Sequence, residues 1–322
     1  MLFAASLLAC AHTVPPGATA EAQHLGETVQ LVVDRPTNRG RRVAIVKRAE
    51  DLELAVDTEW IDWFSTQQNV VIELPGSGED IVYVVAHYDK VDSNLLSAVS
   101  RLVNGALDPL ILWSFMSDGA VDNASGVSVV LELAWALSQQ EHEATFRFLL
   151  AGHEEAGLRG TRAHVARLDP PEKERIALAV NVDTVGIQGV GTCVYTDPDW
   201  TARVQAQARE QGLLWGEASL PGGATSDHVV FMKNSFGQDL KRGLIFGGPG
   251  GLLPQRSWFT SASSAPVLFI SACEVLSFGD YIAACCLVPT GSLHGPRDRA
   301  DKVDPDALAE VYSVLLALLS EL

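Results

Sequence analysis

Apolar residues in this chain fall into short β-branched runs that alternate with longer segments where they recur every third or fourth position. Residues 28–34 and 42–47 predict strands, because their apolar residues alternate or run together, with the turn-rich Arg35-Pro36-Thr37-Asn38-Arg39-Gly40 between them. Residues 69–74 predict another strand, closed by Pro75-Gly76-Ser77-Gly78. Residues 81–86 form an unbroken β-branched run, which suits a strand buried on both faces of a parallel sheet. In residues 126–138 the spacing of Val127, Val130, Leu131, Ala134 and Leu137 predicts a helix with one apolar face. Strands are then expected at 145–150, 176–182 and 266–271, and helices at 159–168 and 201–211. A final helix should start at Asp304, a capping residue followed by Pro305, and bury Leu308, Val311, Leu315 and Leu318.

Strands alternating with helices imply an α/β fold: a single three-layer domain whose central mixed, mostly parallel sheet is flanked by helices. No repeat or interdomain linker divides it, so one domain is expected over 25–322, after a leader and flexible segment over 1–24. Four regions deliver His or carboxylate side chains to the edge where such sheets bind ligands, the C-terminal ends of their strands. They are His87-Tyr88-Asp89, the loop Asp118 to Gly126 containing Asp122, His153-Glu154-Glu155, and Asp183. A Gly/Pro loop adds His294. Each is ordinary alone: an Asp before a helix is usually a cap, and a Glu-Glu pair usually faces solvent. Two adjacent glutamates after a buried strand, however, are costly unless a cation compensates them. His, Asp and Glu without thiolate suit a catalytic zinc site.

Other chemistries find less support. His153-Glu154-x-x-Gly157 has Gly where a zincin helix needs its second His, and no G-x-S-x-G elbow occurs. The glycine-rich Gly247-Gly248-Pro249-Gly250-Gly251 lacks the Lys-Ser/Thr of a phosphate loop. With 23 Lys and Arg against 40 Asp and Glu, the net charge of −17 argues against a nucleic-acid partner. The apolar run at 2–9, ending Leu7-Leu8-Ala9-Cys10, resembles a bacterial lipobox. That implies an exported protein, periplasmic, secreted or anchored to a membrane by a lipid on Cys10; a frayed N-terminus in a cytoplasmic protein is the alternative. Of the other cysteines, Cys285 and Cys286 read as buried thiols, and one disulfide is possible without the sequence choosing its partners.

Taken together, His87-Tyr88-Asp89, Asp122-Asn123-Ala124-Ser125-Gly126, Glu154-Glu155-x-Gly157-Leu158-x-Gly160, Asn181-Val182-Asp183, His294-Gly295-Pro296 and Asp301-Lys302-Val303-Asp304 resemble the bacterial double-zinc aminopeptidases of peptidase family M28, with a zinc exopeptidase-like fold. The resemblance runs from about residue 69 to the C-terminus, with the motifs in family order. It implies two zinc ions per chain, bridged by Asp122, with His87 and Asp183 completing one site and Glu155 and His294 the other. It implies Glu154 as general base, Asp89 as the residue that orients His87, and a peptide or amino-acid amide as substrate. Ser226-Asp227-His228 resembles a family segment lining the site, which makes Asp227 and His228 candidates for substrate or supporting contacts. His153 and Lys90 stand where the family usually has small residues, and insertions are expected near 91–117 and 236–264. Two other readings of the same fold stay open: a glutaminyl cyclase-type aminoacyltransferase with one zinc, and a catalytically inactive binding protein. Cyclase relatives usually lack the intact Asp122–Gly126 segment, and inactive relatives typically lose ligands.

Overall fold

In the computed structural model, the residues described are 19–63, 65–90, 117–217, 226–232, 265–273 and 297–322. His294, Cys10, Cys285, Cys286 and Gly247–251 lie outside them, as do nearly all of the insertion near 91–117 and all of that near 236–264. Eight strands form one sheet: β1 (Asp57–Trp60), β2 (Gln68–Leu74), β3 (Ile81–His87), β4 (Thr145–Ala151), β5 (Ile176–Val182), β6 (Thr192–Thr196), β7 (Gly216–Glu217) and β8 (Val267–Ala272). Their order is β1-β2-β4-β3-β5-β8-β6-β7. The central run β4-β3-β5-β8 is parallel, while β2 against β4 and β6 against β8 are antiparallel. The fold is therefore a mixed α/β domain with a parallel centre. The sequence reading places no strand at β1, β6 or β7; they are short strands of two to five residues at or near the sheet's two edges, too short to show a periodic apolar pattern.

Strand β3 is buried at every residue. Val82, Val84 and Ala86 enter one core, and Ile81, Tyr83 and Val85 the other, so the continuous apolar run serves both faces of the sheet. The larger core is covered by α1 (Ala20–Val33), α3 (Ser125–Ser138) and α7 (Pro305–Leu319), which pack on one another. In α7 Leu308, Val311, Leu315 and Leu318 are all fully buried, and the Asp304 side chain accepts from the Asp306 N–H. The helical stretch Ala120–Ser138 is long and apolar enough to cross a membrane, yet 89% of it is buried here, as expected of a core helix. On the other face lie α4 (Arg159–Arg167) and the short α5 (Pro170–Glu174). α6 (Pro198–Glu210) packs beside α7.

Two predicted strands are helices instead. Residues 28–34 belong to α1 and residues 42–47 to α2 (Asn38–Asp51). In α1 the buried residues Ala22, Leu25, Val29 and Val32 recur at helical spacing, and the Thr19 hydroxyl accepts from the Ala22 N–H at 3.2 Å. A window starting at residue 28 sees only the β-branched end of that stripe. Because Ala22 and Leu25 are fully buried, domain structure begins upstream of residue 25. In α2 the inward stripe contains Asn38 and Arg41 beside Ile45 and Ala49, so polar residues interrupt the apolar period.

Candidate metal centre

Parallel pairing brings the ends of β3, β4 and β5 to one edge, with His87 directly across from Ala151. From β3 comes His87, from the turn after β4 come Glu154 and Glu155, and Asp183 follows β5. Asp122 sits in the tight turn Ala120–Ala124 that leads into α3. The Asn123 amide locks this turn to the sheet, donating to the Val182 carbonyl at 2.9 Å and accepting from the Gly126 N–H at 2.8 Å. Gly126 is needed here, because a Cβ would lie 2.3 Å from the Val182 oxygen. The residue before Glu154 and the residue after Asp183 both take left-handed backbone (His153 φ 56°, Thr184 φ 59°), a conformation non-glycine residues adopt only under constraint.

The His87 ring is buried and its two nitrogens have different jobs. Nδ1 lies 3.0 Å from the Asp89 carbonyl oxygen, which can only accept, so Nδ1 carries the proton. Nε2 faces Asp122 Oδ1 at 3.0 Å and Asp183 Oδ1 at 3.4 Å. Two carboxylates against this nitrogen call for positive charge between them, supplied by a second proton on Nε2 when no metal is bound or by a metal ion that takes its lone pair. Ligands bound at about 2.0–2.1 Å in a tetrahedron stand roughly 3.3 Å apart, which is the spacing seen. Glu155 joins the group: one ligand atom each from His87, Asp122 and Glu155 lie within 4.8 Å of one another. The donor set of imidazole and carboxylate, without thiolate, fits zinc.

Hydrogen bonds hold the carboxylates from behind. Asp183 Oδ2 accepts from the Ser226 hydroxyl at 2.6 Å, and Ser226 in turn accepts from Asn181 Nδ2 at 2.8 Å. Asp298 is fully buried and accepts from the N–H groups of Val121 (2.7 Å) and Asp122 (3.2 Å) and from the Ser117 hydroxyl (2.5 Å). The Asp89 carboxylate stands 3.8 Å from His87 Nδ1 and accepts instead from the Glu154 N–H at 3.0 Å. Asp89 thus orients the ring through its backbone carbonyl rather than its side chain. Gln67, just before β2, accepts from the His153 N–H at 3.0 Å and pins the same turn.

So many buried acids raise one another's proton affinity. Burial lifts the Asp89 carboxyl to about 7 against the pull of His87, and lifts Glu154 well above the usual carboxylate range. Burial with the Asp122 charge brings Asp298 to about 7. Burial disfavours a charged His87, but Asp183, Glu154 and Asp122 outweigh it and hold the imidazole well above its ordinary value. Asp227 is fully buried beside the Thr161 hydroxyl, and burial lifts it to about 6. Its neighbour His228 stacks on Phe269 with ring centroids 4.5 Å apart, and burial lowers it to about 4, so the ring is neutral.

The structure therefore gathers His87, Asp89, Asp122, Glu154, Glu155, Asp183 and Asp227 at one edge, with His228 turned toward Phe269. Asp298, Arg41, Gln67 and Asn181 were not singled out from sequence as supporting residues. Asp298 follows His294 by four positions, a signal within reach; Arg41 offered none, because it falls between the turn expected at 35–40 and the strand expected at 42–47.

The chain aligns with aminopeptidase YwaD of Bacillus subtilis at 32% identity over 174 residues, 52% of this chain and 33% of the relative. It thus spans about a third of that relative's length, as it does for an aminopeptidase of Pseudomonas aeruginosa. In fold it resembles the crystal structure of a zinc aminopeptidase from Bacillus subtilis, with a TM-score of 0.54 and 22% identity over 80% of this chain and 51% of that one. It also resembles a Bacteroides thetaiotaomicron glutaminyl cyclase, with a TM-score of 0.62 and 16% identity over 96% of this chain and 100% of that one. At such identities these two likenesses speak for the fold alone. The sequence profile of Peptidase family M28 matches residues 69–240, the stretch that carries His87, Asp122, Glu154, Glu155 and Asp183, and the chain is a member of that family.

Proposed function

We propose that this protein is a zinc-dependent exopeptidase that releases N-terminal amino acids from peptides or amino-acid amides. The observation that carries the reading is the convergence of His87 Nε2 on Asp122 and Asp183 at 3.0 and 3.4 Å, with Glu154 in the adjoining turn. His87, Asp122 and Asp183 would hold one ion; Asp122, Glu155 and His294 would hold a second. Bound there, zinc lowers the pKa of water and polarises a carbonyl. Glu154, fixed at its amide by Asp89, accepts the water's proton and returns it to the leaving amine, so its carboxylate must be ionised at the start and protonated midway. Ser226 and Thr184 both donate to the Asp183 side chain. Glu154, Asp183 and Asp227 interact as neighbouring acids, and such an acidic site suits a protonated substrate amine, which supports cleavage after the first residue.

The rival reading is glutaminyl cyclisation on one zinc, supported by the end-to-end likeness in fold to a cyclase. Against it stands the intact Asp122-Asn123-Ala124-Ser125-Gly126 segment. One experiment separates them: zinc content of the purified protein, measured beside a screen of aminoacyl amides, N-blocked peptides and glutaminyl peptides. About two zinc ions per chain with release of free amino acids is expected, and Asp122→Ala should empty both sites together. One ion with cyclisation of N-terminal glutamine would overturn the proposal.

We further infer export. Cys193 on β6 is disulfide-bonded to Cys273 just after β8, which suits an oxidising compartment. A lipid on Cys10 would place the protein in the membrane fraction, and Cys10→Ala should release it; soluble protein retaining Met1 would oppose that reading.

A further inference from the structure

One guanidinium joins the two backbone segments that carry the metal ligands. Arg41 is fully buried. Its Nη1 donates to the Tyr88 carbonyl at 2.9 Å, between His87 and Asp89. Its Nη2 donates to the carbonyls of Asp118 at 2.7 Å and Gly119 at 2.6 Å, at the start of the turn that presents Asp122. Three backbone carbonyls thus converge on a planar, permanently charged fork, a task an ammonium cannot match. The rest of the first turns of α2 adds to the grip: Asn38 Nδ2 donates to the Lys90 carbonyl and Asn38 Oδ1 accepts from the Lys90 N–H, both at 3.1 Å. Lys90 Nζ reaches across to the Ser117 carbonyl at 2.9 Å.

Gly119 is shaped to this contact. Its φ is +61°, and a Cβ there would stand 2.7 Å from both terminal nitrogens of Arg41. The charge has a further consequence. Asp298, Asp89, Asp122 and Asp118 all surround the guanidinium, so it offsets buried negative charge from the protein side of the site while the ligands face the other way. Burying an arginine at this depth is costly, and the carbonyls and acids are what offset that cost.

We propose that Arg41 is a positioning residue for metal binding, setting the separation of His87 and Asp122 by clamping the backbone of both their loops. The inference rests on the metal-site reading above. Arg41 supplies three hydrogen bonds across the two loops and Lys90 Nζ to the Ser117 carbonyl adds one, so without the guanidinium the two ligands are held to each other less firmly. Partners behind metal ligands typically change metal affinity by about 10–100-fold when removed.

The test measures the dissociation constant of zinc alone, by chelator competition, for the folded full-length protein and its variants, with thermal unfolding recorded for each metal-free form. Arg41→Lys keeps the charge and loses the fork; Gly119→Ala displaces the fork from the other side. Both should weaken zinc by about 10–100-fold. Should either fail to fold, Asn38→Ala loosens only the Lys90 end and should weaken zinc roughly 2–10-fold. Arg147 is the control: it bonds Glu73 and Tyr83 in the sheet and Glu172 on α5, away from the ligands. Arg147→Met should lower the unfolding temperature and leave the zinc constant within about 2-fold. Wild-type protein that binds zinc, with the clamp variants binding as tightly, would overturn this inference alone. Clamp variants that weaken zinc no more than Arg147→Met does would overturn it too. Wild-type protein that binds no zinc would overturn the metal reading and this inference with it.

Discussion

The Asp89 carboxylate accepts a hydrogen bond from the backbone N–H of Glu154 at 3.0 Å, so the segment after β3 sets where the segment after β4 begins. His87 is held by the carbonyl of the same residue. Asp89 therefore ties a metal ligand and the candidate base to one point. Removing the side chain leaves the carbonyl, so Asp89→Ala should keep the orientation of His87 while freeing Glu154. The expected result is a fall in kcat of about 10–100-fold with zinc content near wild type. Asp89→Asn retains an oxygen acceptor and should recover most of the loss. Steady-state kinetics and metal analysis of both variants check this, and equal activity for Asp89→Ala and wild type would show that the bond positions nothing.

Glu154 and Glu155 are neighbours with different assignments, and mutation can separate them. Glu155 offers a ligand atom within 4.8 Å of those of His87 and Asp122, whereas Glu154 is tied to Asp89. Glu154→Gln keeps the shape and cannot take a proton, so kcat should fall by about 10²–10⁴ while zinc remains bound. Glu155→Gln should instead lower zinc occupancy, with activity partly restored by added metal. A Glu154→Gln protein that loses zinc but keeps its activity per bound ion would reverse the two roles.

The Cys193–Cys273 disulfide closes a chain segment spanning 80 residues and staples β6 to the end of β8. Cross-links over loops this long typically stabilise by about 2–5 kcal/mol. Cys193→Ser with Cys273→Ser should lose stability of that size in a denaturant titration. β8 also supplies the Ile270 carbonyl that accepts from the Asp183 N–H, so some loss of zinc affinity should accompany the change. Identical unfolding curves with and without reductant would show that the cross-link adds nothing.

Much of this arrangement was legible from residues alone because the strands that build the site are short, largely apolar runs that end abruptly in His, Asp or Glu. β3, β4 and β5 stand out as apolar runs, and the polar residues where they stop mark the candidate site. What sequence could not show is how those ends are held. Arg41 and Asn38 lie on a helix whose start reads as a turn at 35–40 and whose middle reads as a strand at 42–47, since a buried arginine breaks the apolar period on which the helical reading depends. Asp298 comes from the far end of the chain and acts through its contacts with Val121, Asp122 and Ser117, a relationship that only tertiary structure creates. The disulfide partners likewise meet only because β6 and β8 pair.

Proton linkage gives a prediction with a definite sign. Burial holds Asp89 and Asp298 at about 7, whereas both have an ordinary value of 3.8. Between those limits the folded protein keeps protons that the unfolded chain has released, so rising pH favours unfolding. His87 acts in the same direction: its stabilising contribution is complete below 6.5 and is lost as pH rises through its raised folded value. Metal-free protein should therefore unfold at lower temperature at about pH 8 than at about pH 5. Zinc inverts the balance, because its ligands must be deprotonated and binding displaces those protons. Added zinc should raise the unfolding temperature little at about pH 5 and strongly at about pH 8, so the two curves diverge with pH. Thermal unfolding of chelator-treated and zinc-loaded protein across that range decides the matter. A metal-free midpoint that climbs steadily from the acid to the alkaline end would mean that these buried acids do not hold their protons, and the charge balance drawn here for the site would fall with it.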